Sequence, residues 1–226
     1  MIKWHTALTA AVLATGAVPA AANLVINGSF EADNASNSPF VLRQIPTGWV
    51  AIPGFDVVDI THNDYTQPPS IPVLLDAQQG VQFIDLNGAS TIGGMRQTVT
   101  GLTPGARLLF SLHAGQWVTN STFNGSPASL GYSLFDASTN ALLGTGSFVT
   151  DTPVWTLRTL NALAPLSGSL LIDIRTTFTN QAGPGVDNVS LVEIVPEPAS
   201  WVMLVAGFGG VGAAMRRRRP LAAVHR

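Results

Sequence analysis

Arg107-Leu108-Leu109-Phe110-Ser111-Leu112-His113-Ala114 decides the fold. Leu108, Phe110 and Leu112 fall on one side of an extended chain, with Arg107, Ser111 and His113 on the other. That is the period of two of a half-buried strand, not the 3.6 of a helix. The stretch 170–175 repeats it: Leu170, Ile172 and Ile174 lie on one side, Asp173 and Arg175 on the other. Working outward, similar short runs predict strands over 24–27, 48–52, 55–60, 81–86, 95–100, 107–114, 130–136, 143–149, 154–160, 169–178 and 187–194. Turn signals separate them: Asn27-Gly28, Asn87-Gly88, Thr103-Pro104-Gly105, Asn124-Gly125 and Gly183-Pro184-Gly185. No window holds a helical period, no repeat is visible, and the longest irregular stretches are 61–80 and 115–128. The expectation is an all-β, single-domain sandwich of two sheets.

Both ends stand apart from this pattern. Lys3, the small apolar run Ala7–Val18 and Ala20-Ala21-Ala22 read as a secretory signal peptide over 1–22. The domain then spans 23–194, long enough to bury a core without staples, and the chain has no cysteine. The formal net charge of −2 conceals an asymmetry. Stretch 23–198 holds five arginines, no lysine and all thirteen acids, a net of −8 before histidine. A domain this acidic does not bind nucleic acid through charge.

At the other end, Val195-Pro196-Glu197-Pro198 precedes fourteen uncharged residues, Trp201–Ala214, and then Arg216, Arg217, Arg218 and Arg219. The prolines exclude a helix before Pro198. A helix over 199–215 would span roughly 26 Å, slightly short of a ~30 Å hydrocarbon core, with the arginines marking its cytoplasmic end. Residues 195–219, followed by a short tail over 220–226, resemble the PEP-CTERM sorting signal of Gram-negative bacteria. The resemblance implies processing by the membrane-embedded protease exosortase, transient inner-membrane insertion of 199–215, and export toward a polysaccharide-rich surface or matrix. The plainer reading is a C-terminal membrane anchor.

Three further pieces occur in order: Asn27-Gly28-Ser29-Phe30-Glu31 with Gly48-Trp49; Gly80-Val81-Gln82-Phe83-Ile84-Asp85-Leu86-Asn87-Gly88 with Gln97-Thr98-Val99; and Val186-Asp187-Asn188-Val189-Ser190-Leu191. Together they resemble the choice-of-anchor C family. That resemblance implies a galactose-binding-like jelly roll like that of many carbohydrate-binding modules. It also implies a structural Ca²⁺ held by Glu31 and Asp187, with Asn27 as a third oxygen donor. Hard oxygen ligands are what Ca²⁺ takes. The alternative is that Glu31 caps backbone N–H groups and Asp187 pairs with an arginine.

Polysaccharide sites pair an aromatic platform with short polar groups. Trp49 and Trp155 lie in β-rich runs and read as core. Trp117, beside Asn120 at the start of a loop, and Tyr65, in Thr61-His62-Asn63-Asp64-Tyr65, are the candidate ligand residues. Asp85 and Asn87 either reach a ligand or cap their own turn. Catalytic readings find little. There is no G-x-S-x-G elbow and no H-E-x-x-H; Gly93-Gly94 is followed by no lysine; and nothing marks Asp56 and Asp59 as a glycosidase pair. The sequence therefore predicts an exported, non-catalytic polysaccharide-binding protein of a biofilm or extracellular matrix. The alternatives are a self-associating or protein-binding envelope protein and, behind these, a polysaccharide hydrolase.

Overall fold

A computed structural model describes residues 22–35, 42–65, 75–87, 92–117, 128–176, 183–194 and 198–217. The chain divides into two compact units, Ala21–Val195 and a second comprising Met1–Ala20 with Pro196–Arg226.

The first unit is a jelly-roll β-sandwich of eleven strands: β1 (Leu42–Arg43), β2 (Val50–Ala51), β3 (Asp59–His62), β4 (Gln82–Asp85), β5 (Gly94–Thr100), β6 (Arg107–Gln116), β7 (Ala128–Asp136), β8 (Leu142–Thr150), β9 (Thr156–Leu163), β10 (Ser169–Thr176) and β11 (Pro184–Ile194). Six form one sheet in the order β1-β3-β4-β11-β6-β9, and five form the other, β2-β5-β10-β7-β8. Every pairing between these strands is antiparallel.

The alternation in 107–114 and 170–175 sets the layers. Leu108, Phe110 and Leu112 of β6 and Leu170, Ile172 and Ile174 of β10 are all fully buried in one core between the sheets. Each such side chain contributes roughly 1.5–3 kcal/mol by leaving water. Trp49 joins them, 6.0 Å from the Phe30 ring, as the sequence reading expected.

Stretch 24–27 is not a strand. It runs beside β11, with the Leu24 N–H on the Leu191 carbonyl (2.8 Å), and then turns. The amide of Gln97 replaces the missing ladder: its Oε1 accepts from the Ile26 N–H (2.8 Å), and its Nε2 donates to the Ile26 carbonyl (2.8 Å) and the Gly48 carbonyl (3.0 Å). Gln82 does the same further on, bonding the Ala35 N–H and the carbonyls of Phe30 and Asp33. Two buried glutamines thus fasten the N-terminal loop across the sandwich.

Candidate functional site

Ile84 of β4 and Leu86 just after it lie in the main core, so Phe83 and Asp85 point out of the six-stranded sheet. Phe83 forms a second buried cluster with Leu75 and Trp117, against which Tyr65, Ala77 and Trp155 pack. The rings interlock: Trp117 lies 6.1 Å from Tyr65 and 5.9 Å from Phe83, and Phe83 lies 5.8 Å from Trp155, edge to face. Beneath them Gly185 opposes Gly115 in register. A Cβ at Gly115 would meet Leu75 at 2.7 Å, so the bare backbone there makes room for the cluster. The Trp155 indole N–H donates to the Asp76 carbonyl (2.7 Å).

This arrangement corrects the aromatic assignments. Trp117, expected to present a platform, is 4% exposed and sits inside the cluster. Trp155, expected in the core, lies half-buried on the outer face instead. It precedes β9 and packs edge to face on the outward Phe83. Tyr65 is half-buried beside Trp117. Asn120 lies outside the described residues.

Asp85 is buried at 2% exposure. Its Oδ1 accepts from the N–H groups of Asn87 (2.9 Å) and Gly183 (2.8 Å), so it caps its own turn and ties β4 to the start of β11. The Trp117 indole N–H faces it, without a bond of regular geometry. Burial pushes its carboxyl up to about 7, the nearby Asp59 charge adds to the rise, and the N–H donors oppose it. Asp59 stands opposite Asp85 on β3, and its own carboxyl is raised by burial against the pull of Arg43, 3.5 Å away. Asp85 is thus enclosed, with its oxygen turned to backbone donors.

Glu31 and Asp187 converge on one turn. Glu31 Oε1 accepts from the N–H groups of Val81 (2.9 Å) and Gln82 (2.8 Å), and Asp187 Oδ2 accepts from that of Gln79 (2.9 Å). Two backbone features bring them there. A Cβ on Gly28 would lie 2.1 Å from the Val189 carbonyl oxygen, so glycine lets the 27–31 loop press onto β11. β11 breaks register between Asp187 and Ser190, which aims Asp187 at the turn. Burial raises the Asp187 carboxyl to about 7, and the Glu31 charge adds to the rise. Among the described residues neither carboxylate has an ion-pair partner, so the arginine expected for Asp187 is not there. Asn27 sits elsewhere: its Nδ2 donates to Asp33 and to the Thr47 carbonyl, and its Oδ1 accepts from the Ala32 N–H. No group of three or more His, Cys, Asp or Glu that could hold a metal occurs among the described residues.

The second unit contributes one helix, α1 (Pro198–Arg217). Pro198 fills its first position, where the missing N–H costs nothing. Leu204, Val205, Phe208, Val211 and Met215 are exposed along it. Among the described residues no helix is long and apolar enough to cross a membrane. The four glycines at 207, 209, 210 and 212 dilute its apolar length. Pro196, Glu197, Arg218 and Arg219 lie outside the described residues.

No curated protein matches the sequence. Among solved structures, the chain is similar to TmCBM61 in complex with beta-1,4-galactotriose at 15% identity, covering 76% of this chain and 99% of that one, with a TM-score of 0.48. It is similar to a family 16 carbohydrate-binding module at 18% identity, 76% and 100% coverage and a TM-score of 0.47. The enzymatically active domain of bacteriophage CBA120 tailspike protein 4 gives 14% identity and a TM-score of 0.48, over 76% of this chain and 21% of that one, about a fifth of its length. These likenesses concern the fold alone. The family comparison bears on the tail: residues 195–219, with their proline-led helix and closing arginines, match the PEP-CTERM protein-sorting motif, and the chain carries that motif.

Proposed function

We propose that this is an exported surface or matrix protein of a Gram-negative bacterium, processed by exosortase at its tail, whose sandwich binds polysaccharide without cleaving it. The sorting motif at 195–219 supports the first half. The apolar side chains exposed along α1 suit a segment that a membrane protease receives from the bilayer only transiently. The placement of Tyr65 and Trp155 against one aromatic cluster supports the second half. Both are half-buried on the outer face of the six-stranded sheet, and Phe83 and Trp117 lock them from behind. Rigid aromatics with accessible faces suit the C–H surfaces of sugar rings. The carboxylates fit catalysis poorly, since Asp85 and Asp187 already accept from backbone N–H groups.

The Glu31–Asp187 pair suits a hard cation such as Ca²⁺. Asp187 is buried, Glu31 raises its proton affinity, and neither has an arginine partner among the described residues. Such an ion would be structural. It would join the 27–31 loop, the 78–82 turn and the β11 bulge.

The test is co-sedimentation of the full chain, in mild detergent, with exopolysaccharide purified from the producing strain. Retention at high salt should drop at least about tenfold in Trp155→Ala and Tyr65→Ala, a loss of roughly 1.4 kcal/mol. A Val50→Ala control should bind normally. Equal retention of all four proteins would overturn the glycan reading. Unfolding with calcium or chelator tests the cation separately: calcium should raise Tm for the wild type and not for Glu31→Gln.

A further inference from the structure

We propose that β9 is a self-association edge, through which two copies of this chain pair antiparallel about a two-fold axis and join their six-stranded sheets into one. This inference rests on strand geometry and is independent of the glycan reading.

Among the described residues β9 ends its sheet, with β6 on one side only. The register with β6 runs unbroken from Arg107 opposite Leu163 to Ala114 opposite Thr156. Just beyond, the Ala164 N–H donates to the Ala106 carbonyl (2.8 Å). In an antiparallel ladder inward and outward groups alternate, so Leu157, Thr159, Asn161 and Leu163 turn their N–H and C=O groups away from β6. An edge of this length is normally blunted by shortness, proline, lysine, an outward charge or a bulge. The other sheet ends are blunted: β1 and β2 are two residues each, and β8 carries a register shift and two glycines, Gly144 and Gly146. β9 has eight residues, no proline, no lysine and no register break. Its one charge, Arg158, is turned under the sheet, 5.0 Å above the Phe148 ring.

The outward residues also identify the partner. With Leu160 on a two-fold axis, Leu157 opposes the second copy's Leu163, and Thr159 opposes its Asn161. All four outward backbone positions then meet their counterparts as hydrogen-bonded pairs. Leu157 and Leu163 are 53% and 60% exposed, large values for leucines on a strand, and pairing would cover them. Thr159 and Asn161 supply a polar pair between them. No like charges face each other. A strand complementary to itself at every outward position fits a second copy better than an unrelated peptide.

The measurement is sedimentation equilibrium of the full chain in mild detergent, comparing wild type with Leu157→Lys and Leu163→Lys. α1 is the same in all three, so a difference reports the edge. Both leucines are exposed, so Tm should hold. Dimer affinity should weaken on the order of ten- to a hundredfold in each variant. The net of −8 on 23–198 also means that raising salt should tighten the wild-type dimer. Register is read separately, because the chain has no cysteine. Mixed Thr159→Cys and Asn161→Cys proteins should form a disulfide between the two variants far faster than either variant with itself. A monomer at high concentration, a dimer indifferent to both lysines, or cross-linking without preference would each overturn the proposal.

Discussion

Asp85 and Asp187 set the pH response of this protein. Both are carboxyls whose folded value is raised to about 7 by burial, against an ordinary value near 3.8. Between those values the folded state holds more protons than the unfolded one, so stability falls as pH rises through that window. The decline is of order 2–4 kcal/mol for each group at most. Asp136 runs the other way: hydrogen bonds from Ser138 and Ser167 hold it down at about 2, so its effect disappears only below pH 4. Tm measured at pH 5 should therefore exceed Tm at pH 8. Asp85→Asn keeps an oxygen for the Asn87 and Gly183 N–H groups and should flatten that slope; a slope unchanged by the substitution would show that Asp85 does not titrate there. That Glu31 and Asp187 come near one another was legible from the motifs around them. The burial of Trp117 was not, because nothing local reveals that Phe83, over thirty residues earlier, points outward to cover it.

Among the elements, the turn at 27–31 is the most exacting. Gly28→Ala would drive a methyl group to 2.1 Å from the Val189 carbonyl oxygen, and backbone cannot rotate aside as a side chain can. The expected cost is about 2–4 kcal/mol, read as a lower denaturation midpoint with unchanged slope. A change below about 0.5 kcal/mol would mean that the loop does not press on β11. The long strands β6, β7 and β10 could be read from alternation, since each has one face in the core. β1 escaped because two residues carry no period, and β9 came out shifted because neither of its faces is fully buried. Stretch 24–27 misled for a different reason: Leu24 and Val25 do pack on the core, but the side-chain amide of Gln97 holds the stretch where a ladder would be expected. Side-chain substitution for a strand pairing leaves no pattern in composition.

At the scale of the whole molecule, the sandwich holds a core of its own within Ala21–Val195. Cleavage between 195 and 198 should therefore leave the Tm of the sandwich within about 2 °C of the uncut chain, a shift smaller than 1 kcal/mol would cause. A larger drop would mean that the tail helps to hold the fold.

The place of β11 carries one more consequence, for the order of events in time. β11 is the last strand made, yet it lies between β4 and β6 in the middle of its sheet. Asn23, near the opposite end, bonds to Val189 and Leu191 within it. A nascent chain that stops short of 184 has a gap where its central strand belongs, and its two halves cannot close on each other. Such long-range pairing is slow, in the millisecond-to-second range for β topologies. The polypeptide therefore stays loose and threadable until nearly all of it has emerged. The sorting segment follows β11 directly, so sorting and final folding fall due at almost the same moment.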